Sequence, residues 1–227
     1  MKRGFLAGMV VAAVCAAQTK SLEQGPHRME LMLERKDGAA WKAVDPGTIF
    51  AGNDYVRFRV KTNFDGYLYV MNHGTGGSYT TLFPREDTGL ANRIQAGKEY
   101  VVPATEGAFR VDGPAGHDIV YWVLTPVELS GGHKHAPLPP PPPPSTKAPA
   151  NLIPRCDDTI LRARGDCVDS SAGAKAADAG QLPKNIKAYA RGGDQDLVFM
   201  KKQGRSVVSS PTPLTGPVVY EFRLAHK

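Results

Sequence analysis

The residues of this chain best suited to chemistry are a histidine next to a glycine run, a His-Asp pair, a pair of histidines and a group of aspartates. His73-Gly74-Thr75-Gly76-Gly77-Ser78 resembles a loop that aims backbone N–H groups at an oxyanion. That use needs a serine on a Gly-x-Ser-x-Gly elbow. Phosphate binding by the same glycines needs a lysine-bearing P-loop. The chain contains neither pattern, so the run reads as a hairpin loop. His73, His117 and Asp118 are the residues from which a site drawn from distant segments would be assembled, either metal-binding or hydrolytic. His133 and His135 flank Lys134; two imidazoles on a flexible chain hold copper or nickel weakly unless a third ligand is fixed in place. Asp157, Asp158, Asp166 and Asp169 crowd a cysteine loop, but their spacing fits no calcium loop. Arg164-Gly165-Asp166 spells an adhesion tripeptide, a match that chance supplies often. These residues assign no catalytic group, no metal ligand and no cofactor.

Aromatic residues offer a different chemistry. Tyr67, Tyr69, Tyr79, Tyr121 and Trp122 fall on predicted strands. Tyr67, Tyr69, Tyr79 and Trp122 are the candidate ligand-binding residues. If Tyr67 and Tyr69 share an outward face, they form a platform that stacks on sugar rings or partner side chains. The competing reading puts them in the core with their hydroxyls at the rim.

The start of the chain sets the compartment. Lys2 and Arg3 precede the apolar run Phe5 to Val14, and Cys15-Ala16-Ala17 supplies small residues before Gln18. This order reads as a secretory signal at residues 1–17; the run is shorter than the roughly 20 residues of a spanning helix. The expected mature chain therefore has no transmembrane span and is periplasmic or extracellular. Lipid anchoring at Cys15 is the alternative, disfavoured by the bulky Val14 before it. Two cysteines then remain, Cys156 and Cys167. An even count in an exported protein favours a disulfide between them. The chain has 28 basic and 22 acidic residues, interspersed without a run of like charge, which does not suit a nucleic-acid surface.

The elements that would position these residues read as strands. Met29, Leu31 and Leu33 alternate with polar residues, and Asp37-Gly38 leads to Trp41–Val44, a hairpin pattern. From Tyr55 to Lys61, Val56, Phe58 and Val60 share one face and Arg57, Arg59 and Lys61 the other. Tyr67 to Asn72 is apolar on both faces, as a central strand would be. Tyr79 to Phe83 stops at Pro84, and Arg85 to Arg93 is a polar loop. Tyr100 to Val102, Phe109 to Val111 and Ile119 to Val127 follow. Turns about every ten residues predict an all-β, Ig-like β-sandwich of short antiparallel strands over residues 18–130. Residues 131–150 form a linker with prolines at 137 and 139–144; such a run is extended and semi-rigid. In the extension at 151–227, Ala172 to Gly180 reads as disordered or a short helix. Leu197 to Met200, Ser206 to Ser209 and Val218 to Leu224 read as strands. Two or three strands rarely fold alone, so the last strand is expected to dock on the sandwich, with the proline run crossing the surface. A separate module stapled by the disulfide is the alternative.

Several ordered pieces resemble one family. Gly52-Asn53-Asp54-Tyr55-Val56-Arg57-Phe58, Asp65-Gly66-Tyr67-Leu68-Tyr69-Val70 and Leu82-Phe83-Pro84 come first. Asn92 to Tyr100, Pro103, Phe109 and Gly113-Pro114-Ala115-Gly116 continue the series. Together they resemble the bacterial domain-of-unknown-function family 4384, over about Trp41 to Leu129. The resemblance implies an exported β-rich domain and brings no activity and no site residues. The function expected from the sequence is a non-catalytic interaction module of the cell envelope. It would bind a protein or glycan through one sheet or through the loop Arg85 to Arg93. The alternatives are the metal-binding or hydrolytic site named above and a structural envelope spacer.

Overall fold

The structure, a computed structural model, describes residues 26–129, 138–144, 153–156, 167–192 and 196–227. The first part of the chain gives β1 (His27–Asp37), β2 (Ala40–Val44), β3 (Tyr55–Thr62), β4 (Gly66–His73), β5 (Tyr79–Phe83), β6 (Arg93–Ile94), β7 (Glu99–Val102), β8 (Phe109–Arg110) and β9 (Gly116–Thr125). The C-terminal part gives β10 (Gly173–Ala176), a one-turn helix α1 (Lys184–Lys187), β11 (Val198–Lys202), β12 (Arg205–Ser210) and β13 (Val218–His226). Two antiparallel sheets result. The first runs β11-β12-β1-β3-β7, with β2 beside β1 and β8 beside β3; the second runs β10-β13-β9-β4-β5, with β6 beside β4.

Alternation builds the core between the sheets. The inward residues Leu31 and Leu33 of β1, and Val56, Phe58 and Val60 of β3, are buried. Opposite them lie Leu68 and Val70 of β4, Val120, Trp122 and Leu124 of β9, and Tyr220 and Phe222 of β13. The Phe58 ring meets Trp122 edge-on at 5.1 Å and Phe222 at 5.5 Å. Each such side chain contributes about 1.5–3 kcal/mol by leaving water.

The expected sandwich is the observed architecture. The β1–β2 hairpin closes from Asp37 to Ala40 around Gly38 at φ 59°, a left-handed position that glycine adopts without strain. β4 lies between β9 and β5 and is apolar on both faces, as a central strand must be. Its first residue, Gly66, has no room for a side chain: a Cβ there would stand 2.6 Å from the Thr125 carbonyl oxygen.

The extension completes both sheets. β12 pairs with β1 from His27–Ser210 to Met32–Arg205. β13 pairs along all of β9, from Val218–Leu124 to His226–Gly116. The last strand therefore docks, and it does so beside a central strand, because β9 without it would have an unpaired edge. One expectation is corrected. Part of Ala172–Gly180, read as disordered or helical, is strand β10, paired with β13 from Gly173–Arg223 to Ala176–Tyr220. Small residues carry little strand propensity; the open edge of β13 supplies the preference that the local sequence lacks.

Candidate functional site

One end of the second sheet gathers polar residues that are far apart in sequence. β4 ends there with Asn72 and His73, β9 begins there with His117 and Asp118, and β13 ends there with His226. Neighbours along a strand point to opposite faces, so His117 and Asp118 diverge and build two separate clusters.

Asp118 points to the core side. Its carboxylate accepts the Thr75 N–H at 2.9 Å and an Asn72 side-chain N–H at 3.4 Å, and lies 3.3 Å from His226 Nε2. The Thr75 hydroxyl is 3.4 Å from the same His226 nitrogen. Gly74 N–H donates to the Ser78 carbonyl at 2.9 Å and Gly77 N–H to the Gly74 carbonyl at 2.8 Å. The N–H groups of Gly74, Thr75 and Gly77 are thus all engaged, and Asp118 pins the loop from below. The run is a hairpin loop, and three of its backbone donors are already in use.

His73 points to the outer side and stacks on Tyr79, ring centroids 4.0 Å apart. Its Nε2 is buried without a protein partner. Burial pushes its pKa below the ordinary imidazole value, and the Asp118 charge offsets part of that.

His117 forms the second cluster. Its Nε2 is 3.2 Å from Asp169 Oδ2 and 3.3 Å from Ser171 Oγ. A hydrolytic triad needs the carboxylate on one ring nitrogen and the hydroxyl on the other. Here both address the same nitrogen. Asp169 also accepts the Ser171 N–H at 2.7 Å and the Arg155 N–H at 3.0 Å. Burial raises the Asp169 pKa, but the Ser171 hydroxyl and N–H, the Arg155 N–H and the His117 ring outweigh it and hold it below the usual value. What this carboxylate organises is the strand-to-disulfide junction: Asp169 N–H donates to the Gly47 carbonyl at 2.7 Å, and Ile49 N–H to that of Cys167 at 2.9 Å. Cys156 and Cys167 form the expected disulfide, Cα atoms 5.2 Å apart. Sequence spacing grouped Asp169 with the aspartates near it in the chain; its partner His117 is 52 positions away, and no local signal connects the two.

Among the described residues no group of three or more His, Cys, Asp or Glu is arranged to hold a metal. His133, His135, Asp157, Asp158, Asp166, the Arg164-Gly165-Asp166 tripeptide, Cys15 and the signal segment lie outside the described residues.

Tyr67 and Tyr69 do share one outward face, that of the second sheet, together with Tyr79 and Tyr121. Trp122 points the other way, into the core, and its exposure is 0%, as is that of Tyr69. The Tyr69 hydroxyl accepts the Leu129 N–H at 3.3 Å. Tyr67 and Tyr79 remain half-buried at the margin of an apolar cluster that Leu138, Leu182 and Ile186 complete. The loop Arg85 to Arg93 is tied within itself by an Arg85–Asp87 ion pair and by the Arg85 N–H on the Gly89 carbonyl at 3.0 Å.

The outer face of the first sheet carries residues that no motif singled out. Arg57 lies over the Trp41 ring at 4.3 Å, and its Nε donates to Glu34 Oε2 at 2.5 Å. Arg59 donates to Glu34 Oε1 and to Glu99, both at 2.7 Å; the Glu34 and Glu99 bonds raise its already high pKa further. Arg28 and Arg205 both lie 3.1 Å from Glu30. The outward positions of alternating strands could have identified this set, because Glu34 pairs with Arg57 on β3 and with Ala43 on β2, two residues from Trp41 on the same face.

No helix among the described residues is long and apolar enough to cross a membrane. Neither the curated proteins nor the solved structures contain a match to the chain. Residues 49–128 match the family model described as a domain of unknown function, DUF4384. That segment holds β3 to β9; β1, which pairs with β3, and β13, which pairs with β9, lie outside it.

Proposed function

For a chain whose residues 49–128 match the DUF4384 family model, we propose a non-catalytic interaction module of the bacterial cell envelope that binds a protein through the outer face of its first sheet. The observation that carries this is the fixed Trp41–Arg57–Glu34–Arg59 array. Arginine and tryptophan dominate binding hot spots. An arginine already stacked and ion-paired loses little side-chain freedom when a partner docks, which is the usual cost of using a long side chain. A protein suits this face better than a glycan. Sugar stacking uses an open aromatic ring, and Arg57 covers one face of the Trp41 indole. The signal pattern at residues 1–17 supports an envelope location. The hydrolytic alternative loses ground because Asp169 and Ser171 address one nitrogen of His117.

The test is site-specific photo-crosslinking in cells, using the full chain with a C-terminal tag. A photoreactive residue is placed at Ala43 or Lys61, on this face, and at Lys184 as a control. The expected result is one reproducible protein adduct from both face positions, absent from the control and lost when Trp41→Ala is added. Adducts only between copies of the chain, or the same pattern from all three positions, overturn the proposal.

A further inference from the structure

The second sheet's outer face holds a ligand-like segment of the chain itself. After Leu129 the chain returns at Leu138, which is 3% exposed and packs among Tyr69, Met71, Tyr121, Leu182 and Ile186. Pro139 to Pro144 follow it, with Pro141 and Pro142 half-buried. Asn185 on α1 donates its side-chain N–H to the Pro139 carbonyl at 3.1 Å and touches Met71 Sδ at 3.2 Å. Leu182 and Ile186 wall the same face from the C-terminal side.

These are the parts of a polyproline recognition site. An extended proline run makes no internal hydrogen bonds, so its carbonyls are free to accept. Such runs are held by aromatic-lined grooves, which exploit their low conformational entropy. Here tyrosines line the face, an apolar residue before the prolines fills a pocket, and an asparagine holds a carbonyl. The buried Asn185 Oδ1 has no partner. Six prolines have no N–H to offer it, so a ligand with an amide hydrogen at that position would make one bond more than the chain's own segment does.

We infer that the outer face of the second sheet is a binding site for extended leucine-proline segments, occupied in cis by residues 138–144. This site is distinct from the first-sheet face and stands without it. A tethered segment competes at an effective concentration in the millimolar range for short flexible linkers, so a peptide in trans binds well only when the cis segment is weakened.

The test is a titration of isotope-labelled full-length chain with a synthetic peptide of sequence 136–144, followed by NMR at the Met71 and Ile186 methyls and the Asn185 side-chain amide. Two variants are used. One replaces residues 138–144 with glycine and serine; the other, Leu138→Ala, leaves the prolines in place. Saturable shifts at these groups are expected in the variants, with affinity at least tenfold above that of the unchanged chain. Adding Asn185→Ala should weaken binding several-fold, as should replacing leucine in the peptide by alanine. If the glycine-serine variant does not fold, Leu138→Ala decides. The inference is overturned if a folded variant shows no shift at millimolar peptide, or if the leucine-to-alanine peptide binds equally well. Residues 138–144 would then be cover and nothing more.

Discussion

The outer faces of the two sheets start from the same architecture and end differently. On the first sheet, β3 sends Arg57, Arg59 and Lys61 outward, and the face is an open network of ion pairs. On the second, β9 sends Ile119, Tyr121 and Val123 outward, and the face is buried under Leu138, Leu182 and Ile186. A strand apolar on one face needs one layer against it; a strand apolar on both needs two. The C-terminal segment serves the second sheet twice, adding β13 within it and α1 over it. The first sheet receives β11 and β12 at its edge and keeps its charged face outward.

The largest expected effect comes from removing that segment. Deleting residues 148–227 takes away β10 to β13 and exposes both the β9 edge and the outer tyrosines. We expect no cooperative thermal transition by circular dichroism; a sharp melt near that of the full chain would break the contrast between the faces. A point change sharpens it. Ile186 is fully buried against the second sheet, so Ile186→Ala should cost about 2–5 kcal/mol in urea unfolding, the usual range for a buried branched side chain. A loss under 0.5 kcal/mol would mean that α1 rests loosely on the face.

On the open face, the Glu34 carboxylate is held by two arginines and is 6% exposed. Glu34→Ala should cost roughly 1–3 kcal/mol, since hydrogen bonds to charged groups are strong and Arg57 and Arg59 each lose a carboxylate bond, Arg59 keeping the one to Glu99. Glu34→Gln should recover part of this. The comparison predicts that the Glu34→Ala loss shrinks with added salt while the Ile186→Ala loss does not; equal salt dependence in denaturant titrations would contradict it.

The smallest effect is on pH. His73 lies on the covered face with its pKa lowered by burial, so the fold holds it neutral while the unfolded chain takes up the proton first. Its contribution is complete above the ordinary histidine pKa of about 6.5 and is lost as pH falls from there through the lowered folded value. Burial lowers the His27 pKa too, with the same sign. The lowered Asp169 carboxyl acts separately, losing its contribution only as pH falls below the ordinary aspartate value and through its own. Between pH 7 and 5, His73→Gln should flatten the fall in stability. Hydrogen exchange at residues 182–187 should rise in acid before that of β3; the reverse order would place the acid-sensitive element on the open face.

Much of this contrast is legible along the chain. Arg57-Phe58-Arg59-Val60 shows one buried face, and Ile119 to Leu124 shows two. The pattern of β13 shows a strand, and the poor stability of two or three strands alone makes docking the expectation over a separate module. The sites were less legible. Asp118 and Thr75 are joined through a hydrogen bond spanning 43 positions, and Asp169 and His117 through an ion pair spanning 52. Alternation places a side chain on a face without saying which segment meets it there.

The sequence by itself determined the strand-rich architecture, the β1–β2 turn at Gly38, the Cys156–Cys167 pairing left once Cys15 is set aside, and the central place of the strand from Tyr67 to Asn72. Those properties follow from periods of two residues, from glycine's access to positive φ and from counting. Tertiary structure alone decided that a small-residue stretch becomes β10, that Asp118 engages the glycine loop from below, that Asp169 and Ser171 meet the same nitrogen of His117, and that the tyrosine face is covered by the chain's own Leu138, Leu182 and Ile186. Each depends on which backbone edge or apolar face was left open elsewhere, a quantity set by pairings more than 40 residues apart and carried by no local pattern.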